Sequence, residues 1–265
     1  MYLYVGGDRR SFWTVRFLRE QGIPVGSFHV SGLKDTPEPS RISVLILPFP
    51  VPHPMEELPM LLSMLTPNAT VFCGKPGTYR DILSDSGAKV IDLYDTEPLT
   101  TLNAAATAEG ALHLLIGASE ITLAGSRCLV IGGGRIGMLL GGKLRSLGAE
   151  VTVSARSEKD RAMIRALDLR SAETGVYSEG LSHYDFIINT VPAPVLNRAQ
   201  LSAVKKDCIL LELASAPGGF SPTDCDSLGL QRIHGPGLPG RFSPKTAGLL
   251  YGESLMIAMK KEGIL

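Results

Sequence analysis

The feature that most constrains this chain is the run Gly132-Gly133-Gly134-Arg135-Ile136-Gly137, together with what stands on either side of it. Cys128-Leu129-Val130-Ile131 precedes it as an unbroken apolar run of strand length. Behind it, Ile136, Leu140, Leu144 and Leu147 recur at spacings of four, four and three, which puts them on one face of a helix. Gly148 stops that helix, and Glu150–Ser154 starts a new extended segment. Strand, glycine turn, helix and strand in this order form one half of a parallel α/β sheet. Each glycine has its own reason to be there: Gly132 permits the tight turn, Gly134 removes a Cβ from the path of a ligand, and Gly137 lets the helix lie close to the strand. Free N–H groups at the helix start, backed by the positive end of the helix dipole, suit a diphosphate. The run therefore predicts a dinucleotide site in a Rossmann domain.

The end of the second strand reads Ser154-Ala155-Arg156-Ser157. An acid there would take the ribose hydroxyls of NAD; instead an arginine stands between hydroxyls, which suits a phosphate. NADP is the expected cofactor, with NAD tolerated. Thr190-Val191-Pro192 ends the strand Phe186–Ile188 and is expected beside the nicotinamide ribose. Ala214 and Ser215 follow the strand Cys208–Leu213 and are expected near nicotinamide or substrate.

The rest of the chain alternates in the same way. Tyr2–Val5, Val25–Val30, Val44–Leu47, Thr70–Cys73 and Lys89–Ile91 read as strands. Ser11–Glu20, Met55–Leu65 and Thr78–Leu83 read as helices. The proline-rich stretch from Pro48 to Pro54 is a stiff loop at a strand's carboxyl end. A length of 265 residues allows two domains. Two doubly wound α/β domains are expected: residues 1–102 as a flavodoxin-like substrate domain, and 103–245 as the Rossmann domain. Between the two series, Thr107–Ala118 is apolar nearly all round and reads as a buried spine helix. The tail, residues 246–265, is expected to pack back on the first domain.

Composition narrows the function. Lys plus Arg and Asp plus Glu both number 26, so no basic surplus exists to bind nucleic acid. The most apolar stretch, Ala111 to Ile131, is broken by Glu120, Ser126 and Arg127, which argues against a membrane span. The first residues lack the pattern of a secretory signal, and a cytoplasmic location is expected. The four cysteines form no C-x-x-C pair and read as buried thiols. The five histidines show no metal-ligand spacing, so no metal is expected.

Several blocks carry a family likeness: Gly6-Gly7-Asp8-Arg9-Arg10, Thr107-Ala108-Glu109-Gly110, Asn189-Thr190-Val191-Pro192 and Ala214-Ser215-Ala216-Pro217-Gly218-Gly219. To these add Pro236-Gly237-Leu238-Pro239-Gly240, followed by Ser243-Pro244-Lys245-Thr246-Ala247-Gly248. In order and spacing the chain resembles the dipicolinate synthase A subunits over nearly its whole length. The last pair of blocks is the most specific. The resemblance implies a dehydrogenase subunit that works with a flavoprotein-like second subunit during bacterial sporulation. It further implies a dihydro- or hydroxytetrahydro-dipicolinate substrate and pyridine-2,6-dicarboxylate as product. Two departures stand out. The stretch from Pro48 to Leu65 is shorter and richer in proline than the family's loop, and Glu212 stands where aspartate is expected.

Oxidising a cyclic diacid needs cations for the carboxylates and a base for a proton. Arg10 and Lys245 each follow a strand and a glycine-containing turn, and are expected on opposite walls of a crevice between the domains. Gly7, Thr107, Pro239 and Gly240 are expected to line it. Glu109 and His113, one helical turn apart, are the candidate bases, with Lys245 as a third catalytic candidate. Two alternatives stay open. A 2-hydroxyacid dehydrogenase would need an arginine where the chain has Ala214-Ser215-Ala216-Pro217. A non-catalytic NAD(P)-binding subunit of a complex would need no catalytic dyad. A homo-oligomer is compatible with each.

Overall fold

Short apolar runs become the strands of two parallel sheets, a five-stranded and a six-stranded one, in the computed structural model, which describes residues 1–35, 41–177 and 180–265. The chain divides into two compact units: Met1–Asn103 with Pro239–Leu265, and Ala104–Leu238.

The first unit contains β1 (Tyr2–Val5), α1 (Arg10–Glu20), β2 (Val25–Phe28), β3 (Ile42–Ile46), α2 (Leu58–Ser63), β4 (Leu65–Cys73), α3 (Arg80–Asp85) and β5 (Lys89–Asp92). Its strand order is β2-β1-β3-β4-β5, the flavodoxin-like order. Every pairing is parallel, so the sheet needs cover on both faces. The strands are apolar at successive positions for that reason: Leu3 and Val5 feed one core, Tyr4 the other. The helix expected over 55–65 is shorter, because Leu65 already pairs with Ile42 and begins β4.

The helix α4 (Leu99–Ala118) carries the chain from one unit into the next. It is longer than the spine expected from the sequence and is not buried all round. Glu109 and His113 are exposed, and Ile116 is 59% exposed. Alanines and glycines make the stretch look apolar on every side while leaving its outer face free to carry these residues.

The second unit continues with β6 (Arg127–Ile131), α5 (Arg135–Ser146), β7 (Glu150–Ala155), α6 (Glu158–Ala166), β8 (Arg170–Glu173), β9 (Phe186–Asn189), α7 (Arg198–Ser202), β10 (Ile209–Glu212), α8 (Pro222–Ser227) and β11 (Gln231–His234). The order β11-β10-β9-β6-β7-β8 is the doubly wound Rossmann order. The sequence hides β8, a polar edge strand of Arg-Ser-Ala-Glu with no apolar run.

After α9 (Leu238–Phe242), α10 (Pro244–Lys261) packs against α1 within the first unit. Two glycines let the helices approach. A Cβ on Gly248 would lie 2.5 Å from the Arg10 carbonyl oxygen, and one on Gly252 would lie 2.5 Å from the Phe17 ring. The Thr14 hydroxyl donates to the Gly248 carbonyl at 2.9 Å. Tyr251, Leu255 and Met259 complete the core around Tyr4, Val15 and Leu18. Among the described residues no helix is long and apolar enough to cross a membrane.

Candidate functional site

In the second sheet β6 lies between β9 and β7. The chain winds away from β6 in both directions, and ligands of open α/β sheets bind at the carboxyl ends beside such a switch point. The loops after β6 and β9 meet there. The Thr190 N–H and hydroxyl both donate to the Ile131 carbonyl at 2.9 Å, and the Gly132 N–H donates to the Ser154 carbonyl at 2.9 Å.

The glycines of the turn answer to different constraints. Gly132 has φ +113°, and a Cβ there would lie 2.2 Å from Thr190 Oγ1. A Cβ on Gly137 would lie 1.8 Å from the Gly132 carbonyl oxygen. The protein's own packing requires both. Gly134 is unlike them. It caps α5 with φ −81° and ψ −171°, a conformation open to any residue, and it offers no side-chain cap. A Cβ on Gly134 meets nothing within 4 Å. Nothing inside the protein needs glycine at this position, and the space it leaves lies in front of a helix N-terminus. That cradle fits the diphosphate of a dinucleotide.

The cradle opens into a cleft of about 790 Å³ that brings together Gly132, Gly133, Gly134, Arg156, Ser157, Thr190, Val191 and Pro192. Arg135 and Ile136 form the first turn of α5, and Gly137 is buried beneath it. Ser154 is fully buried at the end of β7, 3.4 Å from the Thr174 hydroxyl. Ala214 and Ser215 do not line the cleft.

At the β7 end, Arg156 is exposed. Arg161 fixes its backbone by donating to the Ala155 and Arg156 carbonyls at 3.1 and 2.7 Å. Ser157 does not offer the free donor expected of it. Its Oγ accepts from the Asp160 N–H at 3.0 Å and donates to Asp160 Oδ2 at 2.6 Å, capping α6. Asp160 lines the cleft as well, a residue that the sequence pattern did not point to. The signal for it is nonetheless present: an acid three places after a helix-capping serine.

At the other end, Asn189 shapes the loop that carries Thr190, Val191 and Pro192. Its amide donates to the Val191 carbonyl at 2.8 Å, and its carbonyl accepts the Val191 N–H at 3.0 Å. Glu212 accepts the Ala214 N–H at 3.0 Å and the Gly219 N–H at 2.7 Å.

The residues expected to bind substrate lie differently. Arg10 and Lys245 both belong to the first unit, not to walls from two domains, because the chain returns to that unit at Pro239. The Arg10 side chain is only 8% exposed and is committed to Asp8, with Nε 2.9 Å from Oδ1 and Nη2 2.6 Å from Oδ2. Gly240 packs on this pair: a Cβ there would lie 2.1 Å from Asp8 Oδ2. Pro239 is buried beside it. Gly7 makes room for Pro48, whose Cβ would be 2.5 Å from its own. These residues build the end of the first sheet. Lys245 is exposed in the first turn of α10, with Nζ 5.1 Å from the Trp13 ring centre.

Thr107 is buried in α4. Glu109 is 59% exposed and accepts from Lys143 Nζ at 3.0 Å. Glu109 thus stands in a surface ion pair on the outer face of α4, not in the buried setting expected of the spine helix. His113 lies on the same exposed side.

Comparison with known proteins agrees with this geometry. Residues 120–226 match the family described as "Putative NAD(P)-binding". The dipicolinate synthase A subunit of Bacillus subtilis (strain 168) is 33% identical over 189 residues, which is 71% of this chain and 64% of that protein. The match thus spans less than two thirds of that curated relative's length. Among solved structures, the dipicolinate synthase A subunit from Bacillus halodurans superposes with a TM-score of 0.88 at 24% identity, covering 97% of each chain. Its counterpart from Bacillus subtilis gives 0.85 at 27% identity, covering 99% of this chain and 97% of that one. The second unit is a dehydrogenase-like NAD(P)-binding domain, and over nearly its whole length the chain is similar to the dipicolinate synthase A subunits.

Proposed function

We propose that this chain is the NADP-dependent dehydrogenase subunit that forms pyridine-2,6-dicarboxylate from dihydrodipicolinate, or from the hydroxytetrahydro form once it has lost water. The observation that carries the reading is the open cradle in front of Gly134, in a protein that needs no glycine there. The family supports the substrate class, since the relatives are named for dipicolinate synthase.

The oxidation breaks a ring C–H bond with its electron pair leaving as hydride, and removes one proton, so that the ring becomes aromatic. When bound, oxidised NADP supplies the hydride acceptor. The chain's own part is to position and to neutralise charge. The α5 N-terminus and the backbone of Gly133 and Gly134 hold the diphosphate, and Arg156 takes the 2′-phosphate. The loop of Thr190, Val191 and Pro192 walls the cleft. Lys245, whose ammonium is not tied up in an ion pair with a carboxylate of the described residues, pairs with a substrate carboxylate. Arg10 does not, because Asp8 already takes its charge.

That the relatives are named as one subunit of a synthase supports a second subunit, for which the resemblance implies a flavoprotein-like protein acting in the cytoplasm during sporulation. A 2-hydroxyacid dehydrogenase is disfavoured by the run Ala214-Ser215-Ala216-Pro217, which carries no cation to grip an α-carboxylate. The test is to incubate the purified chain with NADP and freshly made dihydrodipicolinate, with and without a flavoprotein-like candidate partner. Reduced cofactor and pyridine dicarboxylate should appear in equal amounts. Cofactor binding without either product, in both mixtures, would leave only a cofactor-binding protein.

A further inference from the structure

We infer that Asp160 sets the cofactor preference of the cleft, replacing from α6 the acid that is absent at the end of β7; this rests on the reading of the cleft as an NAD(P) site. Three observations support the role. Asp160 lines the cleft beside Arg156 and Ser157. Its Cβ lies 3.6 Å from where a Cβ on Gly133 would stand, so the side chain leaves the helix next to the glycine turn. Its Oδ2 is held by the Ser157 hydroxyl at 2.6 Å, which fixes the carboxylate and leaves Oδ1 as an acceptor.

Among the described residues no ion pair joins Asp160 to Lys159, Arg161 or Arg165 of its own helix. Arg161 and Arg165 both pair with Glu158, at 3.0 and 2.6 Å. The β7 end of the cleft therefore carries two opposed charges. Arg156 attracts a 2′-phosphate, and Asp160 repels it. Asp160 in turn accepts a ribose hydroxyl, which the cofactor without the phosphate presents. Ser157 cannot help the phosphate, since its proton is given to Asp160. The cleft admits both cofactors because these two side chains pull in different directions.

Asp160→Asn removes the charge and keeps a carbonyl oxygen for Ser157, so the cap of α6 survives. Asp160→Ala serves as a second variant if the first fails to fold. Calorimetric titration of NADP and NAD, and of adenosine 2′,5′-bisphosphate and AMP, reads the preference without any turnover. Removing the acid should tighten the 2′-phosphorylated ligand about fivefold and weaken the other about twofold, a shift of about tenfold in their ratio. An unchanged ratio in a folded variant, with the wild type binding both, overturns the role of Asp160 alone. A wild type that binds none of the four ligands overturns the cleft assignment as well.

Discussion

Asn189 gives its side-chain N–H to Glu212 Oε1 at 2.7 Å, and this one bond joins the carboxyl ends of β9 and β10. Asn189 is 0% exposed and Glu212 1%. The loop after β9 and the loop after β10 are thus held by one buried side-chain pair in addition to the sheet's ladder. Gly219 must be glycine for the pair to fit, since a Cβ there would lie 2.4 Å from Asn189 Nδ2. Where the family resemblance leads to an expected aspartate, the longer glutamate spans from Asn189 on one side to Gly219 on the other.

Removing that acceptor should be costly. Glu212→Ala leaves the Asn189 amide and the Ala214 and Gly219 N–H groups without their partner in a buried place. Each stranded donor costs about 1–3 kcal/mol, so a loss on the order of 3 kcal/mol is expected after partial relaxation. Glu212→Gln keeps the volume and one acceptor, and should lose less. Urea denaturation of both variants measures the difference. An alanine variant within about 0.5 kcal/mol of wild type would mean that water replaces the carboxylate and the pair is not a clamp.

Gly134→Val separates folding from binding. The backbone at Gly134 already lies where valine is allowed, and its Cβ enters open space. The variant should unfold at the wild-type temperature and bind no NADP by calorimetry. Unchanged NADP affinity in the folded variant would show that the diphosphate lies elsewhere. Gly137→Val, by contrast, should fail to fold, because its Cβ would collide with the Gly132 carbonyl.

How far the sequence discloses such things depends on how local the cause is. The Rossmann half is legible because its cause is local: an apolar strand, a glycine turn and a helix period lie within about thirty residues. The first sheet is legible for the same reason, since strands buried on both faces read as continuous apolar runs. What fails is what depends on a partner distant in sequence. Arg10 reads as a free cation until its contact with Asp8 is seen; the pair is near in sequence, but its burial under Gly240 is not. Glu109 reads as buried until α4 turns its outer face to solvent and meets Lys143. Ser157 reads as a phosphate donor until Asp160 claims its proton. Polar side chains have several equally good partners in a sequence, and only the fold selects one.

The cofactor preference predicted from Arg156 is directly measurable. Arg156 is exposed at the cleft, with its backbone braced by Arg161. Arg156→Ala should lower NADP affinity about tenfold or more, the loss of about 1.5–3 kcal/mol for a charge-assisted contact, while NAD affinity stays within about twofold. Titrations at two ionic strengths sharpen the result, because the contribution of an exposed cation shrinks with salt. An NADP affinity that Arg156→Ala leaves within about twofold of wild type would remove the basis for assigning a phosphate to Arg156.

The four cysteines, all buried, should be silent to thiol reagents in the folded protein. Burial pushes the Cys128 thiol up to about 11 and the Cys208 thiol up to about 12. Burial also raises Cys225. The thiolate is the reactive form, so at pH 8 only about one Cys128 in a thousand is ionised, before access is counted. Ellman's reagent should find no fast thiol in native protein and all four in denaturant. Rapid, stoichiometric reaction of a native cysteine would contradict the burial of that residue.

Lys245 and Arg10 make the sharpest pair, because the same substitution should do different things to each. Both are cations that the sequence offers for holding a substrate carboxylate, and both stand in the first unit. Arg10 is nearly inaccessible and spends its charge on Asp8, beside Gly240 of α9 and 5.4 Å from the Phe49 ring centre. Arg10→Ala strands a partly exposed Asp8 and removes packing on Phe49. A stability loss of about 1–3 kcal/mol is expected, at the low end of what breaking a buried pair costs because Asp8 is partly solvated. Lys245 is exposed, with its ammonium over the Trp13 ring, a contact worth about 0.5–1 kcal/mol at an exposed site. Lys245→Ala should therefore leave the melting temperature nearly unchanged. In saturating NADP it should weaken pyridine-2,6-dicarboxylate about tenfold, as the loss of one charge-assisted contact to a carboxylate. Lys245→Arg should restore part of that affinity. Thermal melts and dicarboxylate titrations on the three variants decide the matter. If Lys245→Ala loses no more than about twofold in dicarboxylate affinity, Lys245 is a surface cation and the carboxylate is held by another residue.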